Sequence, residues 1–252
     1  MTNPWEAWKC ALSSALFRRV EVKETKIRRS TFPPRHHAAP VASCGLVLLR
    51  RSHTKETHLR TEDPAEWGHT YTWIALDADS KLVLSYHVGK RSPADAFRFI
   101  EELDSRVKYR FQLTTDAYKA YLEPVETVLG LRVDYAMLVK VFATPQNTGP
   151  DWYGTGKIRD LIPSDIIGSS DPEHISTSYV ERSNLTLRMQ LRRFTRLTNG
   201  FSKKLDNLKS AVSLYMAWYN FCRIHGTLKV TPAMEAGLAD HVWSLEEMLR
   251  FG

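Results

Sequence analysis

Three carboxylates in this 252-residue chain stand where phosphoryl chemistry could be done. Asp77 closes the β-branched and aromatic run Thr70-Tyr-Thr-Trp-Ile-Ala-Leu-Asp77. Asp116 follows the short extended run Phe111-Gln-Leu-Thr-Thr115. Glu181 opens a helical stretch far along the chain. Acids converging from two strand ends and a helix make a hard-oxygen site suited to magnesium or manganese. A pair of such ions activates a water or a terminal hydroxyl and stabilises the leaving oxygen in phosphodiester exchange. The plainer reading of any one Asp at a strand end is a turn residue that caps its own backbone.

The stretch from His174 to Phe201 has no internal proline and reads as a helix. Val180, Leu187, Leu191 and Phe194 recur at spacings of seven, four and three and share one face. Glu181, Asn184 and Arg188 recur at three and four and share another. Five arginines fall between 182 and 196, beside a single acid, Glu181. One reading is a solvated basic face with Glu181 complementing the helix dipole. The other is a metal-binding carboxylate held over a phosphate backbone that the arginines grip.

The elements that must position these groups follow from local pattern. Thr70–Asp77 and Leu82–Val88 are strands around the turn Ala78-Asp-Ser-Lys81, an antiparallel hairpin. Ser92-Pro-Ala-Asp95 starts a helix that carries Phe99, Ile100 and Leu103 and ends near Val107. The spacing predicts a helix from Ala117 to Leu129, closed by Gly130, and a strand from Leu131 to Val141. Residues 142–176 read as a long irregular stretch, the kind of loop that is often functional. Leu205, Leu208, Val212, Tyr215 and Trp218 mark a further amphipathic helix. Thr231-Pro232 starts another, and Ser244-Leu-Glu-Glu247 is a capping box for the last. Upstream, Val41–Leu49 could form one strand, between segments rich in Arg, Pro and His. Strand, strand, helix, strand, helix, strand predicts an α/β fold with a mixed sheet.

Composition narrows the function classes. Hydrophobic residues make up 43% of the chain, enough for a core. No run of eighteen apolar residues exists, so no membrane span is expected. Cys10, Cys44 and Cys222 form neither a disulfide framework nor a zinc pattern, which fits a reducing cytoplasm. The net charge of +7 is uneven: residues 1–60 hold twelve Lys/Arg against four Asp/Glu, and residues 181–211 hold eight against two. Such polarity suits a polyanion-binding protein.

Four runs in order carry a resemblance. They are Trp73-Ile-Ala-Leu-Asp77 through Gly89-Lys-Arg91, Thr114-Thr-Asp116-Ala-Tyr-Lys-Ala-Tyr121, His174-Ile-Ser-Thr-Ser-Tyr-Val-Glu181-Arg-Ser-Asn-Leu185, and Arg193-Phe-Thr-Arg-Leu-Thr-Asn-Gly-Phe-Ser-Lys-Lys204. The tail adds Tyr219-Asn-Phe-Cys-Arg-Ile-His225 and Thr231-Pro-Ala-Met-Glu235. Together they resemble the DDE-type transposases of the insertion-sequence-one family over residues 57–250. The resemblance implies an RNase H-like mixed sheet with flanking helices across residues 57–252. Residues 1–56 read as a basic, irregular segment, out of frame or degenerate relative to that family. The resemblance also implies a magnesium- or manganese-dependent enzyme that cuts at element ends and joins the 3′-hydroxyl to target DNA. Double-stranded DNA would be the partner, the protein would self-associate, and it would work at the nucleoid. By motif Asp116 matches the second carboxylate and Glu181 the third. Asn184 and Arg188 would orient Glu181 or touch DNA. Arg192, Arg193, Arg196, Lys203 and Lys204 would hold phosphates without reading sequence.

The sequence departs from the family at the first carboxylate. The family's first strand resembles Val-Asp-Glu-x-Trp-Ser-Phe, and its place here is about residues 41–52, where no Asp or Glu occurs. Asp77 is the remaining candidate for a third metal ligand, although it ends the second strand of that plan. Two readings therefore stand: a transposase that cleaves and transfers strands, or an inactive DNA-binding remnant or regulator of transposition.

Overall fold

A computed structural model of the chain describes residues 69–107, 109–142, 158–194, 200, 202 and 204–250, together with the strand 41–49. Its centre is a six-stranded sheet in the order β3-β2-β1-β4-β5-β6. The strands are β1 (Val41–Leu49), β2 (Thr70–Asp77), β3 (Val83–Gly89), β4 (Phe111–Asp116), β5 (Val133–Phe142) and β6 (Ile158–Ile167). β1, β4 and β5 run parallel, while β2 is antiparallel to β1, β3 to β2 and β6 to β5. A three-stranded meander continued by parallel strands in the order 3-2-1-4-5 is the RNase H-like arrangement. β6 adds one antiparallel strand at the far edge. β1 comes from the segment upstream of residue 57 and lies in the interior of the sheet, between β2 and β4.

Two layers cover the sheet. On one face lies α1 (Pro93–Arg106), started by Ser92, whose side chain accepts from the Asp95 amide. Phe99, Ile100 and Leu103 of α1 meet Trp73, Phe111, Leu113 and Tyr135 of the strands. Trp73 packs edge-on against Tyr121 with ring centroids 5.4 Å apart, a geometry that places ring edge on ring face. The other face carries α2 (Ser178–Gln190) and α3 (Leu205–Phe221), with Val180, Leu187, Val212 and Met216 packed on Ile74 and Leu76. Thus β2 sends Trp73 and Ala75 one way and Ile74 and Leu76 the other. A strand buried on both faces must be apolar throughout, and 73–76 is. Asn220 of α3 accepts from the Val83 amide at 3.0 Å and donates to the Val83 carbonyl at 3.0 Å. This pins α3 over the edge strand β3 and occupies part of its open hydrogen-bonding edge. The chain ends in α4 (Pro232–Glu235) and α5 (Leu245–Arg250).

Three local expectations change. The helix expected from His174 to Phe201 is shorter: a 3₁₀ turn covers Pro172–His174, α2 ends at Gln190, and a second 3₁₀ turn spans Arg192–Phe194. The segment expected as a helix from Ala117 is a chain of short 3₁₀, α and π turns over residues 119–132. Pro124 lies within it, and a proline supplies no amide to a helix interior. The stretch expected to be irregular contains β6. Leu161, Ile162 and Ile166 of β6 are exposed and Pro163 interrupts its donors, so no one-sided alternation marks it in sequence. Residues 1–40 and Gly154 to Lys157 lie outside the described residues.

Candidate functional site

Asp116 ends β4 and pairs in register with Leu138 of β5. Residues directly opposite in a ladder point to the same face, so Asp116 faces the layer of α2 and α3, as Thr114 and Gln112 do. Its carboxylate is mostly enclosed. It accepts a hydrogen bond from the Tyr118 amide at 3.4 Å, a long contact. Burial raises the carboxyl above its ordinary range, and the nearby Glu181 charge adds to the rise. The Tyr118 amide, Arg91 and Lys140 act against it.

Glu181 comes to the same face from the first turn of α2. Thr177, at the helix start, donates its hydroxyl to Glu181 Oε1 at 2.7 Å. Lys140 of β5 forms an ion pair with the same oxygen. Lys140 lies two residues beyond Leu138, hence on the Asp116 face and one step diagonal to Asp116. The ammonium therefore serves both acids: it contacts Glu181 and its charge favours ionised Asp116. Arg91 flanks the group and stacks over the Tyr118 ring at 4.2 Å, while the Tyr118 hydroxyl donates to the Arg91 carbonyl at 3.0 Å.

The structure does not bring Asp77 to this place. Its carboxylate accepts from the Ser80 amide at 2.9 Å and from the Ser80 hydroxyl, closing the hairpin turn. Register pairs Asp77 with Ala42, and Ala42 with Leu113, which sets Asp77 on the face opposite Asp116. Three residues along the strands and two strand spacings across put the two Cα atoms roughly 14 Å apart. The neighbour of Asp116 on β1 is instead position 45. The parallel register Ser43 to Thr114, continued by two residues, sets Gly45 beside Asp116, and the antiparallel register sets it beside Ile74. Glycine brings no carboxylate there.

The expected DNA contacts divide. Asn184 is 9% exposed and lies on the buried stripe of α2 with Val180 and Leu187. Its Oδ1 is buried without a hydrogen-bond partner, and so is the Thr114 hydroxyl on the same sheet face. Arg188 is half-buried, whereas Arg192 and Lys204 are exposed. Arg193 is exposed and donates to the Ser202 hydroxyl. Arg196 and Lys203 lie outside the described residues.

Sequence reasoning missed Lys140, Thr177, Arg91 and Tyr118. Lys140 carried a signal. With Asp134 it is one of two charges in a strand that is otherwise apolar, and its spacing places it on the face of the residue opposite Asp116. A carboxylate pair of which one member, Glu181, is ion-paired to Lys140 offers a divalent ion too few free charged oxygens. Among the described residues no three His, Cys, Asp or Glu side chains form a group that could hold one. No helix among the described residues is long and apolar enough to cross a membrane.

No protein-family model and no curated protein matches the chain. Among solved structures, the cryo-EM structure of the piggyBac transposase synaptic complex with hairpin DNA is similar, with a TM-score of 0.33 and 11% sequence identity. The similarity covers 84% of this chain and 51% of that one, so the chain spans about half the length of that protein.

Proposed function

We propose that this chain is a DDE-transposase-like DNA-binding protein whose carboxylate centre is incomplete, so that it occupies DNA rather than cutting it. The observation that carries the reading is the meeting of Asp116 and Glu181, 65 residues apart, on one face of an RNase H-like sheet. The motifs around both residues, in order along the chain, support the same reading. Gly45 beside Asp116 and Lys140 on Glu181 favour the inactive form over one that cleaves and transfers strands. Loss of one of three metal ligands removes most of the charge stabilisation that phosphoryl transfer needs.

In this reading the basic residues after Glu181 form the interface. Arg192 and Lys204 are exposed and able to reach phosphates, and Arg188 lies at the margin. Backbone contacts of this kind give affinity that falls steeply with salt and carries little sequence information. Metal-dependent transposition of an insertion sequence, acting on element ends and target as a multimer, is the activity of the family resembled. A chain without that activity would compete for the same DNA or pair with an intact copy.

The test is duplex binding by fluorescence anisotropy across a salt series, run beside plasmid nicking in magnesium or manganese. Binding should weaken steeply with salt, and Arg192→Ala with Lys204→Ala should reduce the slope by about two. Absence of duplex binding sinks the reading. Metal-dependent nicking that Asp116→Asn abolishes would replace it with the active transposase.

A further inference from the structure

We propose that Lys140 is the built-in cation of the Asp116–Glu181 centre, and that a divalent ion binds there only once this ammonium is removed. The inference rests on reading those two acids as a transposase-like carboxylate pair. It adds what occupies the pair and what that occupant excludes.

Two carboxylates share one sheet face, and one of them, Asp116, is mostly enclosed with a single long hydrogen bond. Enclosed negative charge demands a counter-charge. Arg91 supplies part of it to Asp116, and β5 supplies the rest: the Lys140 ammonium is in contact with Glu181 Oε1, lies one step diagonal to Asp116 in the sheet, and adds to Arg91 in favouring ionised Asp116. Thr177 holds the same Glu181 oxygen from the helix side at 2.7 Å, so the acceptor is fixed in place.

A tethered ammonium has two advantages over a free ion. It is always present at high local concentration, because its strand is paired on both sides by β4 and β6. It also binds without the strict octahedral geometry and the dehydration that magnesium demands. A divalent ion would need more negative charge to displace it. The β1–β4 register, continued two residues past the Ser43–Thr114 pair, brings glycine at position 45 alongside Asp116, and glycine adds none. The other oxygens on this face are neutral: Asn184 Oδ1 and the Thr114 hydroxyl are buried and unpartnered, able to coordinate a cation but not to attract one. With Lys140 removed, the two acids would face each other with only Arg91 nearby, and the balance would swing towards a divalent ion.

A simple side-chain ion pair makes a different forecast. Half-exposed pairs of this kind are frequently incidental, and removing an incidental lysine would leave metal affinity unchanged.

Calorimetric titration with manganese separates the two. Lys140→Ala should bind manganese at least about tenfold more tightly than the wild-type chain, because a competing positive charge a few ångströms away has gone. Lys140→Arg, which keeps the charge, should behave as the wild type. Adding Asp116→Asn to Lys140→Ala should abolish the gain. Equal affinities in wild type and Lys140→Ala, absence of binding in both, or a gain that survives Asp116→Asn would each overturn the proposal. If circular dichroism finds Lys140→Ala unfolded, Lys140→Met keeps the aliphatic stem and takes its place under the same criteria. Duplex binding by the same proteins keeps the two ideas apart. Loss of DNA binding with the manganese gain intact sinks the proposed function alone, and the reverse sinks the lysine proposal alone.

Discussion

Asp95 and Asp116 are both enclosed carboxylates, and the fold treats them in opposite ways. Asp95 sits in the first turn of α1, where it accepts from the Ser92 hydroxyl at 2.6 Å and the Lys90 amide at 3.1 Å. His87 Nε2 lies 2.7 Å from its other oxygen. Burial acts to raise its pKa, but Ser92, His87 and the Lys90 amide outweigh that and hold it below the ordinary 3.8. Asp116 has one long amide contact, and burial carries its pKa upward. All of Asp95's close partners lie within eight residues of it. The counter-charges of Asp116 come from Arg91 and Lys140, on other elements. A carboxylate with a structural task is satisfied locally, on three sides. One left short of hydrogen bonds and balanced by distant charges is the arrangement found where chemistry or binding is done.

The largest effect expected from breaking this contrast is at Asp95. Asp95→Ala removes the acceptor for a hydroxyl and an amide and the partner of His87, and should cost about 2 kcal/mol or more by urea unfolding at neutral pH. A loss under about 0.5 kcal/mol would erase the structural reading of Asp95. Next comes Gly89→Ala. A Cβ there would lie 2.3 Å from Asp95 Oδ1 and 2.6 Å from His87 Nε2, so the cluster closes only because residue 89 has no side chain. The expected cost is about 1–3 kcal/mol. In a double-mutant cycle with Asp95→Ala the two losses should be clearly less than additive.

Asp116→Asn should have the smallest effect, within about 1 kcal/mol of wild type and on the stabilising side at neutral pH. The pH dependence sharpens this, because the signs oppose. For Asp116 the folded pKa lies above the unfolded value, so the native state takes up a proton first. Its contribution to stability grows as pH falls through the raised pKa towards 3.8. For Asp95 the folded pKa lies below the unfolded value. Its stabilisation is complete above 3.8 and is lost as pH falls through the depressed pKa. Unfolding curves between neutral and acid pH should therefore converge for wild type and Asp95→Ala on acidification. For Asp116→Asn the wild type should gain on the variant as pH falls. The same sign for both would remove the contrast.

Much of this fold was legible before any tertiary contact was considered. The hairpin Thr70–Gly89, the Ser92-capped α1, the strand ending at Asp116 and the amphipathic α3 all announce themselves through period and caps, which are properties of neighbouring residues. Asp116 and Glu181 were legible as candidates because their surrounding motifs are contiguous. That residues 41–52 hold no Asp or Glu was legible too, and β1 covers most of that stretch.

Other features depended on which strands pair and in what register. The turn role of Asp77 follows from Ser80 and from a register that sets it on the far face. Asn184 shares a helix stripe with Glu181, yet packing on the sheet buries it. β6 lacks one-sided apolar alternation and exists as a strand because β5 offers it an edge. Lys140 reaches Glu181 across 41 residues of chain, by a pairing that no local pattern encodes. By itself, then, the sequence determined most of the strands and helices and marked two acids as candidates, since periodicity and capping act within a few residues. Only the tertiary structure decided what those acids face, because counter-charge and burial are set by strand register across the sheet.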